Sequence, residues 1–224
     1  MADRATRYAM LVASLPALPP HYAAKYSPIS RIQLEKRLLM LDEDDSAQLA
    51  QVTALVDWAQ QPQDGRDEAI AHGAGKALEA LDNPLLHEVV RWRLELRSLV
   101  AALRRRQAGR PAPAPRERWC IGRWCDHMVR HWSEPGLRME RVFPLVSEAA
   151  RLLKAGDHMA LERLLLGAEW EQLRLAGVGH YFDFEAVALY VLRWDILERW
   201  SHYDSERARA RFDELVEQGL ENVA

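Results

Sequence analysis

A chain of 224 residues with 49% hydrophobic content is long enough to bury a real core, as one large domain or two small ones. Its 30 Lys and Arg stand against 33 Asp and Glu, and the resulting net charge of −3 excludes a general attraction to nucleic acid or anionic membrane, so such a contact would need a local patch. Two cysteines are too few for a disulfide framework, and their C-x4-C spacing suits a reducing compartment at least as well as a bridge; the chain reads as cytoplasmic.

At the N-terminus, Arg4 and Arg7 precede Tyr8-Ala-Met-Leu-Val-Ala-Ser-Leu15, which has the outline of a basic and then apolar leader. Asp3, Ser14 and Pro16 argue against that reading, and the run is far short of the roughly 20 residues a membrane span needs. A first strand or a buried segment is expected there. After a Pro-rich entry, Ser30 followed by Gln33 is a capping-box pattern that opens a helix over about Arg31 to Leu41. The acidic run Asp42 to Asp45 ends that helix and caps the next, in which Leu49, Val52, Leu55, Val56 and Ala59 recur at helical spacing up to Pro62.

Asn83-Pro84 is a favoured helix start, and Leu85, Val89, Trp92, Leu96, Leu99 and Leu103 follow at alternating steps of four and three, a heptad seam facing a partner helix. The helix runs into Arg104, Arg105 and Arg106, cations at its negative end, and stops at Gly109. Pro111-Ala-Pro-Ala-Pro115 is a stiff, extended spacer. Helices are then expected from Arg118 to Trp132, from Arg141 to Lys154, from Asp157 to about Gly177, from Asp183 onwards and from Ser205 onwards. The fold class is therefore all-α, a two-lobed helical bundle with room for one short N-terminal strand. Residues 1–109 form an N-terminal lobe, 110–117 a linker and 118–224 a C-terminal lobe.

Few of the polar residues form a pattern that carries chemistry. Cys120, Cys125, His127 and His131 are zinc-ligand types within twelve residues, and they support an alternative reading as a small helical metal-binding protein or enzyme. On a continuous helix, however, the two cysteines stand about 140° apart, so all four cannot converge without a break. Gly73-Ala-Gly-Lys76 lacks the earlier Gly and the following Ser or Thr of a phosphate loop. The carboxylate pairs Asp195 with Glu198 and Glu214 with Glu217 sit in helical patterns, and Asp195 precedes Arg199 by four residues, the favourable order for a surface ion pair. No G-x-S-x-G elbow is present. The basic block Arg104 to Arg106, continued by Arg110, Arg116, Arg118 and Arg123, has only Trp119 and Trp124 as aromatic platforms. It therefore reads as a solvated helix end and linker or, as a contact, suits a protein or acidic partner better than RNA. These residues predict no catalysis, no cofactor and no metal, and the three arginines are the candidate partner contact.

Several longer strings, taken in order, do form a pattern. Tyr8 to Pro16, Leu39-Met-Leu-Asp42, Trp92-Arg-Leu-Glu-Leu-Arg97 running to Arg106, Trp132-Ser-Glu-Pro135, and Phe184 to Trp194 through Glu198-Arg-Trp200 resemble an uncharacterised bacterial family encoded beside V-type ATPase genes. A fainter likeness reaches the central-stalk funnel of V- and A-type ATPases, the helical component that couples the shaft to the membrane ring. Leu99 to Gly109 looks like that family's Asn-x-x-x-Leu-Leu-Arg-x-Lys-x-x-Gly element, with Glu95 or Arg97 where its Asn stands, and Phe184 to Val191 looks like its Phe-x-x-Glu-x-x-x-x-Tyr-Leu element. The resemblance implies a non-catalytic subunit or accessory factor. It would partner V-type ATPase subunits of the central stalk or membrane ring, without nucleic acid or membrane insertion, at the inner face of the cytoplasmic membrane. A short echo, Val90-Arg-Trp-Arg-Leu-Glu95 against Leu192-Arg-Trp-Asp-Ile-Leu197, would fit duplicated helical units.

Overall fold

The computed structural model describes residues 2–20, 27–56, 67–114, 117 and 119–201; helices and turns account for them, with no strand among the described residues. The fold is all-α. Helix α1 (Ala2–Ser14) stands where a first strand or a buried segment was expected over Tyr8 to Leu15, and it is the buried segment and not a strand. Tyr8 and Leu11 are buried, Leu15 packs on an apolar cluster, and the intervening Met10 is 61% exposed. Positions 8, 11 and 15 share one helical face, so the period of the run is nearer 3.6 than 2.

The caps act as their side chains dictate. Ser30 accepts a hydrogen bond from Gln33 N at 3.3 Å to open α2 (Arg31–Leu38), and Asp42 accepts one from Asp45 N at 3.0 Å to open α3 (Glu43–Val56). Helix α4 (Asp67–Glu79) absorbs Gly73 to Lys76, so that string is helix and not a phosphate loop. Asn83 accepts from Leu86 N at 3.0 Å and opens α5 (Pro84–Gln107). After the short α6 (Cys125–Arg130) and a turn over Pro135–Arg138 come α7 (Val146–Ala155), ended by Gly156 at φ 72°, and α8 (His158–Ala176), capped by Asp157. Asp183 accepts from Ala186 N at 2.8 Å and opens α9 over residues 184–201. The continuation towards Pro62, the carboxylates Glu214 and Glu217, Arg116 and Arg118, and the helix expected from Ser205 lie outside the described residues.

Three helices are shorter than expected. Helix α2 ends at Leu38 instead of about Leu41, with residues 39–40 in a turn. The span from Arg118 to Trp132 is helical only in α6, for a reason given below. The one expected from Arg141 starts at Val146, because Pro144 has no N–H to continue a helix begun earlier and residues 139–145 turn instead.

The packing divides the chain into a unit formed by Met1–Met40 with Tyr181–Ala224 and a unit formed by Leu41–His180. The boundary expected at 110–117 is not a division. Leu96, Leu99 and Leu103 of α5 share one core with Met128, Phe143, Val146, Leu153 and Leu161, all beyond the spacer. A Pro-rich spacer holds the chain extended, but α5 has a second apolar face that must be covered, and α7 and α8 cover it. For the same reason α5 does not use a single heptad seam. Leu86, Val90, Leu94, Val100 and Ala102 are buried alongside it, and α5 packs on α3, α4, α7 and α8. An ion pair between Arg93 and Glu169, 2.7 Å apart and nearly buried, ties α5 to α8.

In the other unit, Ile29, Leu34, Tyr190 and Trp194 form one buried cluster, with Leu15, Leu18 and Leu38 against it. Trp194 is fully buried and donates its indole N–H to Ile29 O at 2.9 Å, while the Tyr190 hydroxyl donates to Pro16 O at 2.9 Å. Asp195 reaches Arg31 at 2.9 Å, and Glu198 accepts from the Ser27 hydroxyl at 2.6 Å. These two carboxylates tie α9 to the 27–31 segment.

Candidate functional site

The three arginines at the end of α5 separate into different roles. Arg105 pairs with Glu117 at 2.5 Å, and Glu117 also accepts from Ala114 N at 3.1 Å, which fastens the spacer back onto the helix. The hydrogen bond from Arg105, and then that from Ala114 N, holds the Glu117 carboxyl below the usual range. Arg106 donates to Glu134 O at 2.8 Å. Arg104 is exposed, and its side chain has no hydrogen bond or ion pair among the described residues. Of the block expected to meet a partner, the structure leaves Arg104 on the surface and uses the other two to close the fold.

The segment from Trp119 to Trp124 is a loop because α5 offers it polar partners from its buried face. Glu95, only 2% exposed, accepts hydrogen bonds from Arg123 N at 2.9 Å, Arg123 Nε at 3.0 Å and Arg123 Nη2 at 3.2 Å. Bonding to Glu95 pushes the Arg123 guanidinium further above its already high value. Ser98 Oγ accepts from Ile121 N at 2.9 Å and lies 3.2 Å from Ile121 O. Gly122, at φ 104°, lets the backbone pass so close to Glu95 that a Cβ there would overlap its side chain. A helix through this segment would leave the Glu95 carboxylate buried without these bonds, which is why the loop wins. The only sequence signal was the pair of polar residues Glu95 and Ser98, three apart among the apolar residues of the buried face of α5.

The four zinc-type residues do not form one site. Cys120 and Cys125 close on each other as a disulfide, with Cα atoms 5.9 Å apart, so neither thiol is available as a ligand. His127 and His131 pack against each other, with ring centroids 4.5 Å apart. The expectation that both cysteines lie on a helix fails because only Cys125 belongs to one. The bridge borders a groove of about 490 Å³ lined by Glu117, Trp119, Cys120, Cys125, Val129 and Arg130.

The histidines instead meet Arg106 around the turn at 134–138. Gly136, Leu137 and Arg138 all have positive φ, at 55°, 56° and 53°, a strained left-handed path for the latter two. It is held from several directions. Leu137 is fully buried, Arg106 holds Glu134 O, His127 Nε2 lies 3.3 Å from Arg138 O, and His131 Nδ1 lies 2.7 Å from Glu134 Oε1, with Arg138 also paired to Glu134. The hydrogen bond from His131, and then the charge of Arg138, holds the Glu134 carboxyl below its usual range. Arg106, His127 and His131, which the sequence assigned to two unrelated hypotheses, are thus brought together as supports of one turn. Among the described residues no helix is long and apolar enough to cross a membrane. The chain matches no family model, no curated protein and no solved structure.

Proposed function

We propose that this protein is a non-catalytic subunit or accessory or assembly factor of a V-type ATPase, acting on the cytoplasmic side where the shaft meets the membrane sector. The observation that carries the reading is the ordered series of motifs from Tyr8 to Trp200 that resembles a family encoded beside V-type ATPase genes. The setting of those motifs supports a mechanical role. Trp92 packs on Phe143 with centroids 5.6 Å apart, Glu95 anchors a loop, and Phe184, Tyr190 and Trp194 are buried. Motif residues that fill cores and fasten loops suit a rigid helical coupler, and the fainter likeness to the central-stalk funnel is of that kind.

The surface left for docking at the end of α5 is Arg104, with exposed Arg110 next in line. A cation there would meet an acidic face of a partner protein, with an effect that weakens as salt rises. The test is affinity recovery of the tagged protein from native membranes of its own source, followed by identification of co-purifying chains. Recovery of central-stalk or membrane-ring subunits is expected. A preparation with no ATPase subunit in it overturns the proposal and leaves a general helical interaction scaffold.

A further inference from the structure

We infer that the Cys120–Cys125 bridge is a redox-active bond, opened by a dithiol reductant while the protein stays folded. Three observations lead there. First, the bond is reachable. Both cysteines are only half-buried and both line the groove beside Trp119 and Arg130, so an attacking thiolate has a path to the sulfurs. Access of this kind separates labile, regulatory disulfides from sealed structural ones.

Second, the loop does not depend on the bond. Glu95 holds Arg123 by three hydrogen bonds, Ser98 holds Ile121, and Glu117 is fixed to Arg105 on the other side of the bridge. Each of these contacts survives reduction. Third, a bridge with a sequence separation of 5 restrains the unfolded chain least, since loop-closure entropy grows with loop length. It adds little that the hydrogen bonds have not already secured. What it does add is a covalent tie between the segment at Trp119-Cys120 and the first residue of α6, the two walls of the groove.

The chemistry balances with a dithiol as the co-reactant. Its thiolate attacks one sulfur of the bridge and forms a mixed disulfide, and the other cysteine leaves as a thiolate and takes up a proton. The second thiol of the reductant then displaces the first cysteine. Two electrons and two protons pass from the dithiol to the bridge, and the reductant is left as a disulfide. The groove wall at α6 is then no longer tied to the Trp119-Cys120 segment, so the shape of the groove follows the redox state. This inference is independent of the ATPase reading.

The experiment uses the full chain purified in air without reductant, quenched with N-ethylmaleimide and weighed intact. No adduct is expected on the isolated protein, and two adducts after native treatment with dithiothreitol. The native half-time should lie within about tenfold of that in urea, because access rather than unfolding governs it. Helical circular dichroism and cooperative unfolding should persist in the reduced protein, and oxidised glutathione should restore the unlabelled state. The double variant Cys120→Ser/Cys125→Ser, which cannot form the bridge, should also unfold cooperatively. Two adducts on protein kept with oxidised glutathione would mean that no bridge forms, and that overturns the inference. A bridge that yields only in urea overturns it too, as does loss of cooperative unfolding in the reduced protein or the double variant, because each makes the bond structural.

Discussion

Glu95 lies 2% exposed on a helix face otherwise made of Leu, Val, Ala and Ser98, and its bonds to Arg123 make that position tolerable for a carboxylate. Glu95→Gln keeps the shape but replaces charge-assisted bonds with weaker ones, and should lower stability by about 1–3 kcal/mol in urea unfolding. Gly122→Ala should cost a similar amount, about 1–3 kcal/mol, because the new Cβ meets Glu95 and the backbone sits at a φ that side chains rarely adopt. The arginine block should split in the same assay. Arg106→Ala removes a charged donor from Glu134 O and should cost about 1–2 kcal/mol. Arg104→Glu should cost only about 0.5 kcal/mol, the helix-end charge effect, while reducing recovery of ATPase subunits if the proposed function holds. From sequence the three arginines look alike, because their partners Glu117 and Glu134 lie 12 and 28 residues away.

Among the elements, α9 joins a strong local signal to a tertiary outcome. Asp183 caps it as its side chain dictates, and the same holds for Ser30, Asn83 and Asp157, since a cap is a contact over three residues and needs no fold around it. The role of its aromatics is tertiary. Trp194→Ala should cost about 3–5 kcal/mol, from an empty core site and an unbonded Ile29 carbonyl, seen as a lowered unfolding midpoint. Tyr190 carries a pH signature. Burial pushes its phenol from 10.0 up to about 12, so between those values the unfolded chain ionises first and stability falls as pH rises. Ultraviolet titration should show a late-ionising step that is lost in Tyr190→Phe, whose stability should decline less steeply above pH 10. The opposite sign holds for Glu134. Its depressed value gives stability present above the ordinary carboxylate value of 4.5 and lost as pH falls through the folded value. The echo of Trp92 and Trp194 is an echo in letters, since Trp92 is half-buried against Phe143 and Trp194 is sealed and hydrogen-bonded.

At the scale of the whole molecule, the division of the chain changes what a fragment should do. A chain starting at residue 118 lacks Leu96, Leu99, Ala102 and Leu103, and with them the α5 side of the larger core. It should unfold without a cooperative transition, whereas residues 41–180 carry that core whole and should show one by circular dichroism. The sequence by itself determined the helical class, most helix starts and the absence of a long apolar span, because these rest on periodicity and on side chains within four residues of each other. Tertiary structure alone decided that 119–124 is not helix, that the spacer does not separate lobes, that the two cysteines bind each other and not a metal, and which of three arginines stays on the surface. Those outcomes rest on groups brought in from far along the chain, such as Glu95 against Arg123 across 28 residues, which also sets the loop that lets two cysteines five apart meet; local propensity carries no record of such a partner.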